Sequence, residues 1–189
     1  MAAISLKTAI SISGLSRRTI WRRIEDGCLT KICAPKKGGM TQLNFEEVLS
    51  LSCLPLKQED HAVILAADQG DAVAQCDLAL LFLTAHRARD AVFWFDQSAQ
   101  QSYADAMCFL GRFCLMGKVI PRNVDIGIAW LNHAAAKKHL VAQSLIWFLQ
   151  TARGRQLMDG QDLAMLEKAL DDIERYVLLS VLAGTVDSS

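Results

Sequence analysis

The chain has 189 residues, 52% of them hydrophobic and 21% charged, with only three prolines, a composition that excludes a largely disordered or linker-rich protein. Formal net charge is +0, but it is unevenly spread: eight Lys or Arg against two acids from Met1 to Phe45 (+6), and 12 against 18 from Glu46 to Ser189 (−6). A basic head on an acidic body fits a nucleic-acid-binding segment joined to something else.

The opening MAAISLKTAISIS lacks the long apolar core of a signal peptide, and no stretch approaches the roughly 20 apolar residues of a membrane span, so a cytoplasmic protein without membrane contact is expected. Two short helices are predicted next, about Lys7 to Ser11 and Ser16 to Glu25, with Gly14 taking the turn and the Ser16 hydroxyl capping the second. On that second helix Ile20 and Ile24 point one way while Arg17, Arg18, Arg22 and Arg23 occupy the other faces. Trp21 is expected to pack partly into the core.

Between about Cys28 and Asn44 the segment LTKICAPKKGGMTQLNF alternates apolar and polar residues on either side of Pro35-Lys36-Lys37-Gly38-Gly39, the pattern of a small hairpin. Asn44 then caps a third helix with an apolar stripe of Phe45, Val48 and Leu49.

From His61 the sequence repeats itself. Ala67, Ala99 and Ala135 correspond, as do Ala74, Ala106 and Ala142, then Leu78, Leu110 and Ile146, while Trp94 matches Trp130. The spacings are 32 residues (74 to 106) and 36 residues (106 to 142), the extra four falling in the loop Gly117 to Asn123. Small residues at fixed places let the two helices of a hairpin approach closely, so a stack of helix pairs is predicted. After the repeats, Asp159 or Asp162 can cap a last helix whose stripe of Leu163, Leu166, Leu170, Ile173 and Val177 either closes the stack or pairs with a second copy.

Two resemblances follow from these residues. The segment TAISISGLSRRTIWRRIEDGCLTKI, with the Lys-rich hairpin and NFEEVLSL, resembles the winged helix-turn-helix of the MerR and excisionase type, found in bacterial regulators and phage proteins. The resemblance implies a helix that starts at Ser16 and enters the major groove with Thr19, Trp21, Arg22 and Arg23, and a wing opened by Gly27 and Leu29 that touches the backbone or minor groove. The second resemblance is to the Sel-like repeats, relatives of tetratricopeptide repeats. It rests on Ala-x-x-Gly-Asp-Ala-x-Ala-Gln at Ala67 to Gln75, Leu110-Gly111, the Gly117 loop and Ala129-Trp130. That family implies binding of proteins or peptides on a concave surface, without catalysis.

The fold expected is therefore mainly α. A winged helix-turn-helix spans residues 1–55, an α-solenoid of Sel-like pairs 58–155, and a capping or dimerisation helix with its tail 156–189. Ser16, Arg17, Arg18, Thr19, Arg22, Arg23, Lys31, Lys36 and Lys37 are the candidate contacts to double-stranded DNA, because guanidinium groups read guanine edges and lysines neutralise phosphates. The partners expected are DNA, a protein or peptide on the repeats, and a second copy, since a single small reader covers too little surface for a specific site. A protein-interaction adaptor using both segments is the alternative. Six cysteines without a CxxC, and His61, His86, His133 and His139 dispersed, suggest no metal, no cofactor and no enzyme; the cysteines read as reduced core residues and His133 and His139 as solvated or helix-capping.

Overall fold

A computed structural model describes residues 2–32, 41–160 and 162–184. Among the described residues the chain forms three short strands and eleven helices, and no helix is long and apolar enough to cross a membrane. Two compact units divide it, Met1–Trp94 and Phe95–Ser189.

The first unit opens with strand β1 (Ala3–Ser5), runs directly into α1 (Leu6–Ser13), turns, and enters α2 (Arg17–Glu25). Both helices start on a serine. The Ser5 hydroxyl accepts the Thr8 N–H at 3.2 Å and the Ser16 hydroxyl accepts the Thr19 N–H at 3.1 Å, each satisfying an amide that has no partner inside its own helix. Gly14 closes α1 at φ +67°, donating its N–H to the Ile10 carbonyl at 2.9 Å, a left-handed conformation that glycine adopts without steric cost. Helix α1 is longer than the sequence suggests. Ser13 lies within it, its buried hydroxyl satisfied by donating back to the Ala9 carbonyl at 2.6 Å.

Strands β2 (Lys31–Ile32) and β3 (Gln42–Asn44) pair antiparallel, Lys31 opposite Leu43, as the hairpin pattern predicts. The turn Pro35 to Gly39, with Lys36 and Lys37, lies outside the described residues, as does Cys33. The sheet also has a third strand that the sequence reading lacks: β1 flanks β3 on its other edge, Ile4 opposite Leu43. Asn44 ends β3 and caps α3 (Phe45–Leu49), its side-chain oxygen accepting the Glu46 N–H at 3.0 Å. Ile4, Ala9, Ile12, Ile20, Leu29, Leu43, Phe45 and Val48 bury almost completely where these elements meet, giving a winged helix-turn-helix arrangement around one small core.

Helices α4 (Asp60–Asp68) and α5 (Ala72–Thr84) belong to the same unit, whose boundary falls inside α6 (Ala88–Gln100). Polar bonds tie them to α1. Asp68 accepts the Ser5 N–H at 2.9 Å and both the Ser5 and Thr8 hydroxyls. Trp94 donates its indole N–H to the Ser11 hydroxyl at 2.8 Å, and Arg87 donates to the Ser11 carbonyl at 3.2 Å.

The second unit contains α7 (Ala104–Met116), α8 (Val124–Ala136), α9 (Leu140–Gln150), α10 (Ala152–Asp159) and α11 (Leu163–Leu182). The repeat predicted from spacing reappears as backbone geometry. In each of the pairs α4/α5, α6/α7 and α8/α9 the connecting turn holds one residue with positive φ: Gly70 at 98°, Ser102 at 66° and Lys138 at 64°. The amides of these residues bond to the carbonyls of Ala67, Ala99 and Ala135, three alanines equated from the sequence alone. Ala74, Ala106 and Ala142 are buried at the matching points of the second helices, and Gln75 and Gln143 donate to the carbonyls of Ala67 and Ala135 at 3.3 Å. The third copy is looser. Ala135, Ile146 and Trp130 are only half-buried where Ala67, Leu78 and Trp94 are fully buried.

Helix α10, which the sequence reading lacks, lies between α9 and the last helix. Thr151 caps it, and Gly154 lies so close to the Phe148 carbonyl that a Cβ there would stand 2.2 Å from the oxygen. Asp162 caps α11, accepting the Met165 N–H at 3.2 Å. The stripe of Leu163, Leu166, Leu170, Ile173 and Val177 turns inward, with Leu166 and Leu170 wholly buried and α9 and α10 packed against the helix. Arg112 bridges Asp171 and Glu174, and Lys118 reaches Glu167 at 2.7 Å. That stripe therefore closes the unit on itself, which removes it as a seam for a second copy.

Candidate functional site

The residues expected to contact DNA divide into three groups on α2. Ile20 is buried and Ile24 half-buried, which fixes the inner face of the helix. At 100° per residue Arg18 and Arg22 then occupy the middle of the outer face, and both are exposed. Thr19, Trp21 and Glu25 border the shallow groove these two arginines line. Arg17, also exposed, lies to one side, where it joins Lys7, Ile10, Ser11 and Phe93 around a separate open cleft of about 610 Å³. Arg23 lies on the opposite flank and is half-buried.

Ser16 and Thr19 are committed to the cap: beyond the amide bond, their hydroxyls lie 2.9 Å apart and bond to each other. Their role in positioning α2 is thus structural first. The four arginines differ in that respect, since none forms an ion pair among the described residues. Among the described residues no carboxylate lies within ion-pair distance of these arginines, Glu25 being the one acid that borders the groove of Arg18 and Arg22.

Lys31 is exposed on β2, and its Nζ stands 5.7 Å from the centroid of the Trp21 ring. A cation over an indole face at an exposed position contributes on the order of 0.5–1 kcal/mol, enough to bias the lysine toward α2. Trp21 is half-buried, in keeping with the partial packing expected of it; the contact with Lys31 was not foreseen, because only the fold brings residues 21 and 31 together. Thr30 beside it donates through its N–H and hydroxyl to Glu47, fixing the entry to β2 against α3. Lys36 and Lys37 lie outside the described residues.

Sequence reasoning missed Lys7 and Asp68. Lys7 Nζ lies 4.5 Å over the Phe93 ring, on the same cleft as Arg17. Asp68 is the acceptor that holds the start of α1. The only trace of these contacts in the sequence is the run of hydroxyl residues Ser5, Thr8 and Ser11, which recur on one side of α1 and need partners when buried.

Elsewhere the titratable groups serve the scaffold. His139 caps α9, its Nδ1 accepting the Ala142 N–H at 3.1 Å while Nε2 lies 2.9 Å from Asp105, so the proton sits on Nε2. Cys76, Cys108 and Cys114 are buried; burial pushes the Cys108 thiol up to about 12 and raises Cys114, which keeps both protonated and poorly nucleophilic. Among the described residues no group of three His, Cys, Asp or Glu is placed to hold a metal.

No family model matches the chain, and no curated protein matches it. A solved structure described as the crystal structure of a Sel1 repeat protein from Oxalobacter formigenes is similar to 61% of this chain and 99% of that one, at 19% identity and a TM-score of 0.46. The helix-pair repeat rests on the recurring turns and alanines of the chain itself.

Proposed function

We propose that this chain is a DNA-binding regulatory protein whose α2 enters the major groove and whose helix pairs carry a protein partner. The observation that carries the reading is the outer face of α2, where Arg18 and Arg22 stand exposed without an ion pair among the described residues, with Arg17 and the Lys31–Trp21 contact on one flank and Arg23 on the other. Unneutralised guanidinium groups on a capped helix suit phosphate contact and bidentate contact with guanine. Lys36 and Lys37, which follow β2 in the sequence, add two further cations to this segment.

The experiment is fluorescence anisotropy of a labelled generic duplex with the full chain at two salt concentrations. Binding should weaken steeply with salt, and Arg18→Ala with Arg22→Ala should raise Kd at least about tenfold and flatten the salt slope by about two, one per phosphate contact removed. Binding that ignores salt, or a folded double variant that binds as the parent does, overturns the reading and leaves the adaptor role for the winged segment.

A further inference from the structure

Helix α11 carries a second stripe besides the buried one. Met165, Ala169, Asp172, Tyr176, Leu179 and Ala183 follow one another in steps of four, three, four, three and four, the spacing of a coiled-coil seam. This stripe faces outward: Met165 is 51% exposed, Tyr176 73% and Leu179 59%. Beside it, Trp147 of α9 is 72% exposed and shares with Tyr176 an apolar groove of about 560 Å³.

We propose that this outward stripe pairs antiparallel with the same stripe of a second copy of the chain. The stripe is complementary to itself in that direction. With the two-fold axis opposite residue 174, Met165 faces Ala183 of the second copy and Ala169 faces its Leu179, so each large side chain meets a small one. Asp172 then faces Tyr176, whose phenol can donate to the carboxylate, and this happens twice. A parallel pair would instead bring Asp172 against Asp172 and Leu179 against Leu179, joining like charges at the centre of the seam.

The area is of the right size. With about 150–250 Å² for each aromatic ring and somewhat less for Met or Leu, the exposed parts of Trp147, Tyr176, Met165 and Leu179, with Leu182 on the flank, present on the order of 600 Å² per copy. Stable interfaces take about 800 Å² per partner including a polar rim, which Lys168 and Arg175 supply here. The inference is independent of DNA binding, and its test contains no DNA.

Sedimentation equilibrium of the full chain from about 1 to 100 μM should give a monomer–dimer equilibrium. Leu179→Lys and, separately, Met165→Lys should leave a monomer throughout, with the melting curve of dilute protein unchanged because both side chains are exposed. If either variant unfolds, Tyr176→Ser takes its place with the same expectation. The direction is tested by exchange: Ala169→Leu and Leu179→Ala should each raise Kd about tenfold, and the two together should restore it by again placing Leu against Ala. A parent chain that is monomeric at the highest concentration, a dimer indifferent to Leu179→Lys and Met165→Lys, or a double exchange that fails to restore association each overturns the proposal.

Discussion

Gly111 and Gly127 face each other where α7 crosses α8, each backbone lying where the other's side chain would be. A Cβ on Gly111 would stand 3.0 Å from the Gly127 carbonyl oxygen, and one on Gly127 would stand 2.9 Å from that of Gly111; Leu131 and Leu115 would crowd them further at 2.7 and 2.8 Å. The opposing contacts are backbone, which cannot rotate away.

Replacing either glycine by alanine should therefore push the two helices apart. Gly111→Ala and Gly127→Ala are each expected to lower stability by about 1–3 kcal/mol, despite the gain in helix propensity that alanine normally brings. Thermal melting followed by circular dichroism checks this, and an unchanged or raised midpoint for both would mean that the crossing is wider than described.

Asp68 yields a prediction of a different kind, because its loss leaves donors unpaired. In Asp68→Ala the Ser5 amide and the hydroxyls of Ser5 and Thr8 lose their acceptor while partly or wholly buried. A cost of about 1–3 kcal/mol is expected, with faster hydrogen exchange in α1. Asp68→Asn, which keeps one acceptor oxygen, should fall between the two. Exchange rates in α1 that match the parent's would contradict the role given to Asp68.

The turns between paired helices can be improved or damaged by one substitution each. Ser102 and Lys138 adopt the left-handed conformation at φ 66° and 64°. Ser102→Gly and Lys138→Gly should therefore stabilise the fold, each by up to about 1 kcal/mol, since a side chain in that region costs roughly that much. Gly70→Ala should act in the opposite direction at φ 98°. The three melting midpoints, compared with the parent's, give the signs directly.

Much of this architecture was legible because it is local. Ser16, Asn44 and Asp162 announce helix starts through side chains that bond two or three residues ahead. The repeat was legible because Ala67, Ala99 and Ala135 hold equivalent positions in three turns. What depends on distant partners was not legible. Strand β1 is three residues long, too short for a period, and exists because β3 lies some 40 residues on. The α2 arginines could be counted from the sequence, but their division between an outer face, a flank and the Lys7 cleft needed the orientation of the helix, which Ile20 and Ile24 set. The last helix carries two interleaved stripes; the sequence reading followed the all-aliphatic one, since Asp172 and two alanines disguise the other.

The hydroxyl row of α1 bears on how this protein can be cut or rearranged. Ser5, Thr8 and Ser11 answer to Asp68 and Trp94, so a fragment ending near residue 55 would keep α2 but discard the acceptor and donor that its neighbour α1 relies on. Grafting the winged segment onto another protein with these contacts intact therefore calls for a cassette that runs through α4 and α5 into α6. The seam at which the chain can be divided thus lies nearer residue 94 than the short proline-containing stretch at Leu54 to Lys57 suggests.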